Sequence, residues 1–143
     1  MAGFHLKGGQ ALEKKHYNYG SWTKGRFSEA VTVTGPGKMI FLAGIGAEHE
    51  ETGEIQHLGD FDAQCRYAYE KLGKALERNG ASIKDVVKQV TYVTDIRYQG
   101  QAGVLRREAY GENPLPAHTF LVVSGLAWPG MVVEIDVIAM VGA

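Results

Sequence analysis

The clearest periodic signal in the chain lies between residues 61 and 79, where Phe61, Cys65, Ala68, Leu72, Ala75 and Leu76 recur every three to four positions. A single apolar stripe at that spacing predicts an amphipathic helix, with Asp60 as its N-cap and Gly80 as its terminator. Two short β-rich runs precede it at 30–34 and 39–43. Gly35-Pro36-Gly37 joins them, and the pair reads as a hairpin. Ser82 and Asp85 offer a one-turn cap before 86–94, where β-branched and aromatic residues predict a strand. A shorter helix is expected over 101–110, ended by Gly111 and Pro114, and two strands follow at 117–123 and 131–140. The order ββαβαββ predicts an α+β sandwich with both helices on one face of a sheet, because each element has one strongly apolar side to hide. Residues 1–28 show no clear period and are expected to form an irregular arm. Its aromatics His16, Tyr17, Tyr19 and Trp22 would cover apolar surface on the domain or on a neighbouring subunit. The chain reads as one domain, 1–143.

Composition narrows the function more than the fold. Hydrophobic residues make up 45% and charged residues 22% of 143, which excludes a disordered or collagen-like chain. Fifteen basic against 16 acidic residues give a net charge of -1 without a basic run, so no nucleic-acid or membrane partner is expected. No apolar run approaches the roughly 18 residues needed to span a bilayer. Cys65 is the single cysteine, which rules out an intramolecular disulfide and fits a reducing compartment, so the protein is expected to be cytoplasmic. On the apolar helix stripe Cys65 reads as a small buried hydrophobe rather than a nucleophile. His49 and His57 share a loop with Glu48, Glu50 and Glu51, but irregular spacing gives no fixed ligand geometry, and no metal is assigned.

Candidate chemistry gathers in the last two strands. The run 131–140 is apolar at almost every position, which predicts burial of both faces, yet Glu134 and Asp136 interrupt it on one face. A carboxylate in that setting is either a functional group or a structural one satisfied by hydrogen bonds or a subunit-interface ion pair. In the preceding run His118 and Phe120 share a face. If the two strands pair with Val123 opposite Met131, Phe120 meets Glu134 and His118 meets Asp136. The imidazolium of His118 would then be favoured, fitting it to bind an anion or shuttle a proton. No GxSxG, CxxC or Walker-type motif is present, and no cofactor is expected.

Several segments, taken together and in order, resemble the Rid family of reactive intermediate deaminases, the YjgF-like or L-PSP proteins. They are Phe41-Leu42-Ala43-Gly44, Thr52-Gly53-Glu54-Ile55, Ala63-Gln64, the stretch 79–88, Pro116-Ala117, and Val133-Glu134-Ile135. The likeness covers roughly 28–141. It implies a chorismate-mutase-like α+β fold, a homotrimer with small-molecule clefts between subunits, and cofactor-free hydrolysis of enamines or imines to release ammonia. It also implies that Glu134 holds the attacking water and that Gly44 lets the backbone approach a ligand.

The family arginine that holds a substrate carboxylate sits in a Pro-Ala-Arg context, and here His118 takes its place, between Ala117 and Thr119. A singly contacting imidazole lacks the planar fork of guanidinium. The expected substrate is therefore a small C–N compound that need not carry the usual α-carboxylate, with Arg26 as the substitute clamp if it does. Glu134 and His118 are the expected catalytic residues. Gly44, Ala43, Phe120, Thr119, Trp128 and Arg26 are the expected substrate contacts, with Phe120 and Trp128 as an aromatic wall. The alternative is a noncatalytic small-molecule binder on the same scaffold.

Overall fold

In the computed structural model, which describes residues 11–143, the periodic stretch becomes helix α1 (Phe61–Arg78). The Asp60 carboxylate accepts from the Ala63 backbone N–H at 3.0 Å, and Gly80 takes a φ of 78° just past the last turn. Cap and terminator are thus where the sequence places them, and Phe61, Cys65, Ala68, Leu72 and Leu76 are buried. The second helix, α2 (Gln99–Tyr110), starts two residues earlier than expected. The Asp95 side chain caps a 3₁₀ turn at Ile96–Tyr98 that runs straight into it.

Both helices cover one face of a four-stranded sheet ordered β3 (Gly37–Phe41), β6 (Val133–Gly142), β4 (Val86–Val93), β5 (Ala117–Val122). Helix α2 is the crossover that returns β5 parallel to β4, while β6 runs antiparallel between β3 and β4. The α+β class with two helices on one face is as the sequence predicts. The core lies between sheet and helices, with Ile40, Ile135, Val137 and Ala139 against Ala68, Leu72 and Leu76.

Four expectations are overturned. Strands β5 and β6 are not neighbours: the parallel crossover sends β5 to the far side of β4, and β6 inserts on the near side. The run 131–140 is buried on one face only. Val133, Ile135, Val137 and Ala139 face the helices, and the residues between them are only half-buried. The run 30–34 forms β2 (Ala30–Thr34), but β2 and β3 make no hairpin, since each finds another partner. Finally, the arm is not irregular throughout. It contributes β1 (Glu13–Tyr17), which pairs antiparallel with β2 from Glu13 opposite Thr34 to Tyr17 opposite Ala30. Lys14 ties this ribbon to the domain through an ion pair with Asp85 at 3.4 Å.

Candidate active site

A buried polar network underlies the helix face of the sheet and leads to His118. The Tyr110 hydroxyl donates to Gln89 Oε1 at 2.7 Å, and Gln89 Nε2 donates to the Tyr69 hydroxyl at 2.9 Å and to Thr91 Oγ1 at 3.0 Å. In the β4–β5 ladder Gln89 is opposite His118 and Thr91 opposite Phe120, so both β5 side chains point to the helix side. His118 Nε2 lies 2.8 Å from Thr91 Oγ1. That hydroxyl accepts from Gln89 and shares a proton with Nε2, so the pair holds the ring in place and leaves Nδ1 as its second polar atom. Burial, then the positive charges of Arg106 and Lys88, lower the His118 pKa to about 3. The ring is neutral at pH 7. This corrects the expected imidazolium, for among the described residues no carboxylate stands beside it.

A cleft of about 420 Å³ opens above His118. Trp22, Phe27 and Phe120 supply aromatic walls, and Trp22 and Phe27 meet edge to face at 5.6 Å. The arm is held over the cleft by its own hydrogen bonds. The Glu29 carboxylate accepts from Gly20 N–H and Thr23 Oγ1, both at 2.9 Å, and Ser28 Oγ donates to the Leu115 carbonyl at 2.6 Å. Arg26 and Arg107 line the rim, while Arg106 on α2 is only 5% exposed. Arg106 Nη2 donates to the Arg26 carbonyl at 2.6 Å, and Nη1 is buried with no acceptor among the described residues. Desolvation lowers the Arg106 pKa from its ordinary value, though a guanidinium stays charged in proteins.

Glu134 belongs to the other face. It stands opposite Tyr92 of β4, which in turn stands opposite Leu121 of β5. Gly44 lies against its carboxylate: a Cβ added at Gly44 would come 2.6 Å from Glu134 Cδ and 2.9 Å from each oxygen. Burial, then repulsion from Glu48 and Asp136, raise the Glu134 pKa from its ordinary value. Glu48 Oε1 is itself buried without a partner among the described residues. Lys71 Nζ donates to the carbonyls of Gly46 and Glu48, at 3.1 Å and 2.6 Å, and fixes the segment that carries that second carboxylate. A carboxylate whose pKa is raised is a better base toward water than an ordinary one.

The expected residues therefore fall into two half-sites. His118, Phe120 and Arg26 come together in the helix-side cleft; Glu134 and Gly44, with exposed Ala43 next in the chain, lie on the opposite face. Thr119 turns away from His118, and its hydroxyl accepts from Lys88 Nζ at 2.9 Å. Trp128 is 61% exposed and lines the groove beside Glu48–Glu54, so it forms no wall with Phe120. His49 Nδ1 accepts from the backbone N–H of Glu51, and His57 packs on Tyr67. Cys65 is buried, and desolvation pushes its thiol up to about 12, which keeps it inert. Four residues that shape the cleft, Phe27, Thr91, Arg106 and Arg107, are not singled out by the sequence. The signal for Arg106 is its place four residues from both Ala102 and Tyr110, which puts a charge on the apolar stripe of α2.

This fold and these half-sites define a class. The family model described as Endoribonuclease L-PSP matches residues 21–141. A RutC family protein of Pyrococcus abyssi is 35% identical over 115 residues, 80% of this chain and 86% of its own length. Among solved structures, the Rid family protein YyfB of Yersinia pestis superposes with a TM-score of 0.75 at 27% identity, covering 88% of this chain and 97% of its own. RidA from the Antarctic bacterium Psychrobacter sp. PAMC 21119 gives 0.66 at 27% identity, over 88% and 93%. The chain belongs to the L-PSP, or Rid/YjgF, family.

Proposed function

We propose that the protein is a cofactor-independent Rid-type hydrolase that releases ammonia from a small enamine, imine or related C–N compound, acting as a homotrimer. The observation that carries this reading is Glu134, a carboxylate held against the backbone at Gly44 with its pKa raised. In the reaction an enamine first tautomerises to its imine. Water then adds to the C=N carbon as Glu134 takes the water's proton. The same carboxyl group returns that proton to nitrogen to give a carbinolamine, then takes the carbinolamine's hydroxyl proton and passes it to nitrogen as the C–N bond breaks, so that a carbonyl compound and ammonia leave. Neutral His118 hydrogen-bonds the substrate through Nδ1, the ring nitrogen that Thr91 does not engage, and carries no charge of its own.

His118 and Glu134 face opposite sides of one sheet, so a single ligand reaches both only at a junction between two copies. The face carrying Glu134 supports such a junction, because it leaves Met39, Phe41 and Leu121 exposed by 52%, 68% and 44%. With a net charge of -1 and no run of basic residues, no nucleic-acid substrate is proposed. The test is ammonia release from enzymatically generated imines and enamines, with and without carboxylate groups. Accelerated release is expected for at least one class. Uncatalysed rates across the whole panel would favour a noncatalytic small-molecule binder.

A further inference from the structure

The aromatic cleft above His118 contains one charge for which the hydrolytic reading has no use. Arg106 is almost fully buried, one of its terminal nitrogens is committed to the Arg26 carbonyl, and the other has no acceptor among the described residues. A buried guanidinium nitrogen without an acceptor is costly, and a bound anion, ion or water is what would satisfy it. The surroundings define that ligand. Arg26 and Arg107 add positive charge at the rim, His118 adds none, and among the described residues no Asp or Glu lines the cleft to neutralise them. The walls are rings, from Trp22, Phe27 and Phe120. A single free nitrogen suits a monoanion that presents one or two oxygens in a plane.

We infer that Arg106 is the anion anchor of this cleft and that the ligand it holds is a small carboxylate with an aromatic or apolar body lying against Trp22, Phe27 and Phe120. The inference rests on the proposed hydrolytic site, whose substrate class it narrows. It also moves the clamp: position 118 on β5 is neutral, and the charge comes instead from α2. Arg26, the substitute expected from sequence, contributes its carbonyl to position Arg106 and its side chain to the rim. The fixed guanidinium is preorganised, so little is lost in ordering it when an anion arrives.

Calorimetric titration of the purified protein with benzoate and with its uncharged isostere benzamide tests this. Benzoate is expected to bind at least 10-fold more tightly than benzamide, since a hydrogen bond to a charged group contributes on the order of 10- to 100-fold. R106K, which keeps the charge but loses the fork, is expected to weaken benzoate by a similar factor. Equal binding of the two probes, no benzoate binding up to 10 mM, tighter binding of inorganic phosphate than of benzoate, or unchanged affinity in folded R106K would each overturn the assignment. If R106K fails to fold, the wild-type comparison of benzoate with benzamide decides. Ammonia release from uncharged imines without benzoate binding would sink the anion site and leave the hydrolase standing. Benzoate binding without any ammonia release would do the reverse.

Discussion

Replacing Gly44 by alanine separates the placing of the Glu134 carboxylate from the stability of the fold. The added methyl would stand 2.6 Å from Glu134 Cδ and 2.9 Å from both oxygens. Non-bonded carbons rest about 3.5–4.0 Å apart, so the carboxyl carbon has to retreat by roughly 1 Å. The colliding atoms are the free end of a flexible side chain, Gly44 is exposed, and its φ lies outside the left-handed region, so the backbone accepts alanine. The melting temperature should stay within about 4 °C of wild type, equivalent to no more than ~1 kcal/mol. Activity should not survive, because a misplacement of about 1 Å can cost on the order of 10²-fold. Gly46 is the control. It is buried, and a Cβ there meets the Glu48 carboxylate, Met131 Cε at 2.7 Å and the Val133 carbonyl at 3.0 Å, so G46A should lower the melting temperature instead. Coupled ammonia release and a thermal melt on the same preparations give both quantities. Turnover by folded G44A within about threefold of wild type would refute a catalytic role for the carboxylate at that position.

E134Q removes a carboxyl whose pKa is raised by burial, Glu48 and Asp136, so the penalty on its charged form acts above pH 4.5 and disappears in the variant. Melting at pH 7 should be unchanged or higher while turnover falls by roughly 10²-fold or more, and a lower melting temperature with normal turnover would mark Glu134 as structural. His118 has the opposite pH signature: its folded pKa of about 3 lies below the ordinary 6.5, so the unfolded chain takes up the proton first. Its stabilising contribution is complete above pH 6.5 and is lost as pH falls toward 3, so H118Q should lose less melting temperature than wild type between pH 7 and pH 4. Equal losses would contradict the buried neutral ring. Light scattering should report three chains of 15.6 kDa, and a monomer mass would remove the junction that joins the half-sites.

What the sequence revealed follows from how local each determinant is. Helix α1 was legible from 60 to 80 because its stripe, cap and terminator are all written within one segment. The strands were legible as strands, but their order was not. Whether β5 lies beside β6 or beyond β4 depends on the path of α2, which no strand encodes. That single error joined His118 to Glu134 on one face, when alternation and the true register set them on opposite faces. β1 was hidden because Lys14, Lys15 and His16 give it no apolar alternation; the backbone of β2 pairs with it all the same. Glu134 stands out in the sequence as a charge among apolar neighbours, and Arg106 on α2 carries the same kind of signal in a helical period.

The central claim is that one site draws His118 from one copy and Glu134 from another, and mixed oligomers test it directly. H118A and E134Q chains, each expected to be nearly inactive alone, are refolded together at equal concentration. Random assembly into a ring of three places an intact His118 against an intact Glu134 in about one junction in four, so the mixture should recover about a quarter of wild-type ammonia release. Recovery no greater than the sum of the two parents, in mixed trimers of confirmed composition, would contradict the shared site.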